Sequence, residues 1–161
     1  MQIRQIRQIQ QHDNAELAEL IRKVFREFKI DIPWTVYTDP TTDHLFELFI
    51  RSGSVYWVAE ENGELLGGCG IFPTTGLPEG CAELVKFYVA SAYRGKGVGK
   101  SLMEQSILSA RELGYTQLYL DSFPELEKAV SMYEKEGFRS IDAPMGSSGH
   151  TACTLWMSKE L

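Results

Sequence analysis

Between Cys81 and Met103 the chain reads CAELVKFYVASAYRGKGVGKSLM: a strand-like run, a short polar loop, glycines at 95, 97 and 99, then an amphipathic helix. Gly95, Gly97 and Gly99 let the turn adopt positive φ angles and approach a ligand closely, and the helix behind them leaves its first four N–H groups without partners. The helix dipole, worth about 1 kcal/mol, is too weak to hold a cofactor. Several charge-assisted hydrogen bonds at about 1.5–3 kcal/mol each are enough. With Arg94, Lys96 and Lys100 adding positive charge, the expected guest is a phosphate or a pyrophosphate.

Three phosphate-binding patterns compete for this loop. The dinucleotide pattern G-x-G-x-x-G fits poorly, because Lys100 stands where its last glycine belongs. The triphosphatase pattern G-x-x-x-x-G-K-[ST] is matched by Gly99, Lys100 and Ser101, and LYLD ending at Asp121 imitates a metal-binding strand. Arg94 occupies the place of its first glycine, and Glu83 and Lys86 in the preceding strand suit a mixed sheet rather than an apolar one covered on both faces. A P-loop-like nucleotide hydrolase is therefore a remote alternative. The third pattern is R-x-x-G-x-G, met by Arg94, Gly97 and Gly99, with a later block AVSMYEKEGF from Ala129 to Phe138. Together and in this order, the two blocks resemble the acetyl-coenzyme A loop and the A-x-x-x-Y-x-x-x-G-F signature of the GNAT N-acetyltransferase superfamily.

At 161 residues and 43% hydrophobic content the chain suits a single domain over 1–161. A net charge of -6 argues against a nucleic-acid surface. Cys69, Cys81 and Cys153 are odd in number and lack metal spacing, so buried reduced thiols are expected, and with them a reducing compartment. No apolar run approaches a membrane span and MQIRQIRQIQ has no apolar core for a secretion signal, so a cytoplasmic protein without membrane contact is expected.

Residues 2–10 are taken as a first strand. Asp13 with Glu16 reads as a capping box before an amphipathic helix carrying Leu17, Leu20, Ile21, Val24, Phe25 and Phe28. Asp39 and Pro40 read as N-cap and first position of a second helix through about Arg51. Strands 54–60 and 64–72 join at Asn62-Gly63 as an antiparallel hairpin, and Gly67, Gly68 and Gly70 in the second strand signal a bulge or a close neighbour. In strand 82–89, Glu83, Val85, Phe87 and Val89 are expected on one face and Leu84, Lys86 and Tyr88 on the other. A helix from Gly97 to about Leu113 leads to strand 116–121, so these two strands should be parallel. Pro124 opens a last helix capped by Gly137, and strands 138–141 and 151–158 close the chain. The fold class is α/β of the mixed kind: a mostly antiparallel sheet with one parallel pair and about four flanking helices, a GNAT-like acyltransferase fold.

The resemblance implies direct attack of a primary amine on the acetyl thioester of acetyl-CoA, with no metal. It implies that the amides of Gly95, Lys96, Gly97, Val98, Gly99 and Lys100, with Arg94, hold the pyrophosphate. It also implies that the main chain of Phe87, Tyr88 and Val89 pairs with the pantetheine arm and polarises the thioester carbonyl. Tyr133, on the family tyrosine, would be the general acid at sulfur; packing is the alternative for a tyrosine on this helix face. Glu83 is the candidate base, its pKa raised by an apolar strand face, or else a carboxylate paired at a strand end. Leu126 stands where many relatives carry Asn, so one cofactor contact is missing or supplied elsewhere. For the acceptor the resemblance points to Trp34, Tyr37, His150 and the loops 73–80 and 142–150. A small amine or amino acid is preferred, with protein lysines, peptide N-termini and a non-catalytic CoA sensor as alternatives, and a homodimer is compatible.

Overall fold

The computed structural model describes residues 4–161. Among these, seven strands form one sheet in the order β1-β2-β3-β4-β5-β7-β6. They are β1 Arg4–Gln8, β2 Val55–Glu61, β3 Glu64–Phe72, β4 Cys81–Val89, β5 Gln117–Ser122, β6 Arg139–Ile141 and β7 Leu155–Glu160. The helices are α1 Asn14–Glu27, α2 Leu45–Leu48, α3 Val98–Glu112 and α4 Glu127–Lys135. All neighbouring strands are antiparallel except β4 and β5, joined through α3 as the strand-helix-strand order requires. Among the described residues no helix is long and apolar enough to cross a membrane. The three cysteines are free and buried.

Each face of the sheet carries its own core. On one, Leu102, Met103, Ile107 and Ala110 of α3 pack on Leu66, Ala82, Leu84 and Leu118. On the other, Leu17, Ile21 and Phe25 of α1 pack with Tyr56, Val58 and Phe123. Each such large side chain contributes about 1.5–3 kcal/mol by leaving water, so both helices are pinned and the strands between them are held rigidly.

Several expected boundaries shift for local reasons. Gln2 and Ile3 of the expected first strand lie outside the described residues. Asp13 does begin α1, but its capping box is with Gln10, whose N–H it accepts at 2.7 Å, and Arg7 grips its carboxylate at 2.8 and 2.9 Å. Glu16 instead accepts the Leu65 N–H at 3.1 Å. Asp39 caps as expected, accepting the Thr41 N–H, but the turn Pro40–Asp43 is 3-10 and breaks at His44, so the expected long helix shrinks to α2. Pro124 precedes α4 rather than opening it, and residues 151–154 belong to a turn before β7.

The largest departure is in β4. Its register against β3 slips between Gly68 and Gly70, and Lys86 takes a left-handed φ of 53°. The extra residue there reverses the alternation. Phe87 and Val89 therefore turn to the α3 face with Ala82 and Leu84, while Val85 and Tyr88 face α1. The expected row Glu83, Val85, Phe87, Val89 is split by this bulge. The Tyr56 hydroxyl donates to the Lys86 carbonyl at 2.7 Å, and its ring lies over Gly68 and Gly70. A Cβ at Gly68 would stand 2.5 Å from Tyr56 Cε1. Gly68→Ala is thus expected to destabilise the protein by about 1–3 kcal/mol, read as a lowered midpoint in denaturant.

Candidate active site

β4 and β5 pair only from Cys81 opposite Gln117 to Glu83 opposite Tyr119. Beyond that point both strands continue without partnering one another, and the sheet opens. Two cavities occupy the opening and share Phe87, Tyr88 and Leu126 as walls. One is a groove of about 410 Å³ running from Gly95 and Gly99 past Phe87–Val89 to Leu126 and Met132. The other is a tight pocket of about 40 Å³ at the fork, lined by Glu83, Lys86, Asp121, Tyr133 and His150.

The glycine loop has the form its sequence predicts. Gly95 and Gly97 have φ of 75° and 83°, and Gly97 is the N-cap of α3. The first helical bond is from the Ser101 N–H to the Gly97 carbonyl at 3.1 Å. Among the described residues the N–H groups from Gly95 to Lys100 find no main-chain acceptor. Unpaired amides at the opening of a helix are suited to an anion. Gly99 keeps the groove open: a Cβ there would stand 3.1 Å from both Met132 Cε and Phe87 Cζ. Val98 is buried in the core, leaving only its amide for a ligand, and Lys96 and Lys100 are exposed. Arg94 lines the groove, but its guanidinium is held by Glu27 at 2.5 and 3.0 Å and by the Val89 carbonyl at 3.0 Å. It ties the end of α1 to the loop. The free amides, the open β4 edge and the glycine floor together fit a phosphate carrying an extended arm.

In the pocket, Glu83 is 3% exposed and accepts a hydrogen bond from Thr74 Oγ1 at 2.7 Å. Burial first, and the charge of Asp121 second, push its carboxyl well above the usual carboxylate range. Asp121 is raised as well, mainly by burial, and accepts from Ser148 Oγ at 3.2 Å. Tyr133 is 6% exposed, its ring 5.9 Å from those of Phe87 and Phe138. Burial raises its phenol far above the ordinary value, which keeps the proton on it. His150 Nε2 lies 2.8 Å from Asp39 Oδ2, and this bond is the chief reason the Asp39 carboxylate sits well below its usual range.

The structure thus brings Glu83, Tyr133 and His150 together beside Phe87 and Tyr88. Trp34 stands apart, 70% exposed with a left-handed φ of 64°, and Tyr37 packs against Phe25 with ring centroids 6.2 Å apart. Their neighbour Val36, not they, lines the pocket. The loops 73–80 and 142–150 do meet at this end, the Ser147 N–H donating to the Thr75 carbonyl at 2.8 Å. Leu126 lies on the wall common to both cavities. Sequence reading missed Asp121 and Lys86 as members of the pocket, and Asp39 as the partner of His150. Asp121 had a signal: it lies two residues beyond Tyr119, the parallel partner of Glu83, so the two acids share a face.

The model of the Acetyltransferase (GNAT) family matches residues 15–138. The uncharacterized N-acetyltransferase YjgM of Escherichia coli K12 is 40% identical over 143 residues, 88% of this chain and 85% of that protein. Human N-acetyltransferase 8 is 31% identical over 114 residues, 66% of this chain; the match spans 50% of that longer protein. An acetyltransferase of the GNAT family from Staphylococcus aureus Mu50 superposes with a TM-score of 0.86 at 24% identity, covering 99% of both chains. PaiA N-acetyltransferase from Thermoplasma acidophilum, in complex with coenzyme A, superposes at 0.76 with 20% identity and 99% coverage of both. At these identities the superpositions speak for the fold, while the family match over 15–138 and the 40% identity speak for descent: the chain belongs to the GNAT family of acetyltransferases.

Proposed function

We propose that this acetyltransferase, acting as one domain, moves an acetyl group from acetyl-CoA to the primary amine of a small acceptor. The observation that carries this is that the two cavities at the β4–β5 fork share Phe87, Tyr88 and Leu126 as walls. Gly95 and Gly99 line one of them, and Glu83 and Tyr133 line the other. Acetyl-CoA supplies the activated acetyl thioester. The Gly95–Lys100 amides hold its diphosphate, and the main chain of Phe87, Tyr88 and Val89 positions its arm along the open edge of β4. An N–H donor aimed at a developing oxyanion is worth about 2.7–4 kcal/mol.

Glu83 takes the proton of the acceptor ammonium, directly or through a water, and its raised pKa suits a base working near neutrality. Tyr133, protonated by its burial, delivers a proton to the departing sulfur. The tightness of the pocket, with His150 in its wall, supports a small acceptor over a protein lysine or a peptide N-terminus.

The test is release of free thiol from acetyl-CoA with a panel of amines. Acceptor-dependent release is expected with small amines; stabilisation by acetyl-CoA without release across the panel would mark a sensor instead. Gly99→Val, which narrows the groove between Phe87 and Met132, is expected to raise the Kd for acetyl-CoA about tenfold or more, or about 1.4 kcal/mol, measured by calorimetry. An unchanged Kd would move the arm elsewhere.

A further inference from the structure

Lys86 is a charged pocket residue that acetyl transfer, as set out above, leaves without a task. Only 9% exposed, it lines the pocket at the fork, on the bulge whose carbonyl Tyr56 holds. Three acidic side chains from three different elements act on its charge: Glu83 on β4, Asp121 on β5 and Asp39 before α2. Yet among the described residues none of them forms a salt bridge or hydrogen bond with its ammonium. Each is engaged elsewhere. Glu83 accepts from Thr74, Asp121 from Ser148, and Asp39 from the Thr41 N–H and hydroxyl while bonded to His150.

An ammonium carries three donors, and Lys86, nine-tenths buried, brings them to the wall of the pocket. Burial lowers the pKa of Lys86 against the opposing pull of Asp39, Glu83 and Asp121. The cavity beside it holds only a few waters' worth of space, enough for the head of a small molecule rather than all of it. Phe25, Val36 and Phe123 complete its wall with apolar surface. The pocket therefore combines a cation not bonded to its neighbouring acids, the acids Glu83 and Asp121, and an apolar flank.

We propose that Lys86 binds a carboxylate of the acceptor, so that the preferred acceptors carry a carboxylate beside the reacting amine, as α-amino acids do. This rests on the acetyl-transfer reading above and names its acceptor class. The acceptor's ammonium and carboxylate enter the pocket, the ammonium toward Glu83 and Asp121 and the carboxylate toward Lys86, and its side chain leads out of it. Lys86 is a specificity-determining residue; it exchanges no proton in the reaction.

The test compares L-amino acids with their amides, which keep the amine and the side chain but lose the carboxylate. The α-amine of an amide is the less basic of the two, so more of it is uncharged near neutrality, and a preference for the acid cannot come from amine reactivity. Expected for the wild type is a kcat/KM about tenfold to a hundredfold higher for acids, the scale of one charged hydrogen bond. In Lys86→Met the KM for acids rises by the same factor relative to that for amides, so the preference for acids is lost, and Lys86→Arg restores part of it. Amides used as well as acids by the wild type would overturn the proposal while leaving acetyl transfer standing, and that comparison needs no variant to fold. Equal losses for acids and amides in Lys86→Met would overturn it too, whereas thiol release with neither class would remove the acetyl-transfer reading beneath it.

Discussion

Glu83→Gln is expected to lower kcat/KM by about a hundredfold to ten-thousandfold, the usual contribution of a positioned general base, with the KM for acetyl-CoA kept. The amide fills the same space and can still accept from Thr74, so the packing around β4 survives and the loss is one of proton transfer. The pH profile supplies the sharper reading. A base must be ionised to act, and burial together with Asp121 raises the Glu83 pKa, so the wild-type rate should climb with pH through the neutral range and then level off. In Glu83→Gln that limb should vanish. A limb that persists unchanged would assign it to another group.

The same shift has a consequence for stability. The carboxyl of Glu83 holds its proton more tightly in the folded chain than in the unfolded one. Its stabilising contribution is fully present below the unfolded pKa of about 4.3 and is lost as pH rises through the raised folded value. Above that window Glu83→Gln should melt higher than the wild type. A base held ionised in a buried fork would then cost the fold some stability, a common price of a working site.

Tyr133→Phe is expected to reduce kcat by about a hundredfold or more, within the range for a positioned acid, while acetyl-CoA binding remains. Only the hydroxyl is removed; the ring contacts with Phe87 and Phe138 are kept, so the core under α4 should hold. Because burial keeps this phenol protonated across the accessible pH range, its loss should scale the whole profile down without moving the limb that belongs to Glu83. Unchanged turnover with a lowered melting temperature would make Tyr133 a packing residue.

What could be read in the sequence and what could not divide along a physical line. Local backbone demands are written locally. Asn62 and Gly63 adopt the positive φ angles of 53° and 80° that their hairpin needs, and Gly97 takes the left-handed N-cap that opens α3. The parallel pair followed from strand-helix-strand connectivity alone. The bulge at Lys86 did not, because it depends on Tyr56 lying across Gly68 and Gly70 from a neighbouring strand. The glycines hinted at a close neighbour without saying which one or where β4 would slip. The Asp13 capping box misled for a similar reason: Arg7 on β1 captures the carboxylate that local sequence offered to α1. Trp34 looked like an acceptor aromatic by type, yet the turn after α1 carries it outward and sets Val36 toward the fork. Glu83 and Tyr133 were legible singly. Asp121 follows onto the Glu83 face once β4 and β5 are paired, but Lys86 at its bulge and the Asp39–His150 pair come from separate elements and are visible only in three dimensions.

The most direct measurement is a calorimetric titration of the intact chain with acetyl-CoA. A saturable isotherm with one site per chain is predicted, weakened by Gly99→Val and preserved by Glu83→Gln and Tyr133→Phe. No heat and no occupancy at saturating acetyl-CoA would mean that the Gly95–Lys100 amides do not hold a diphosphate, and the reaction assigned to the fork would have no acetyl donor.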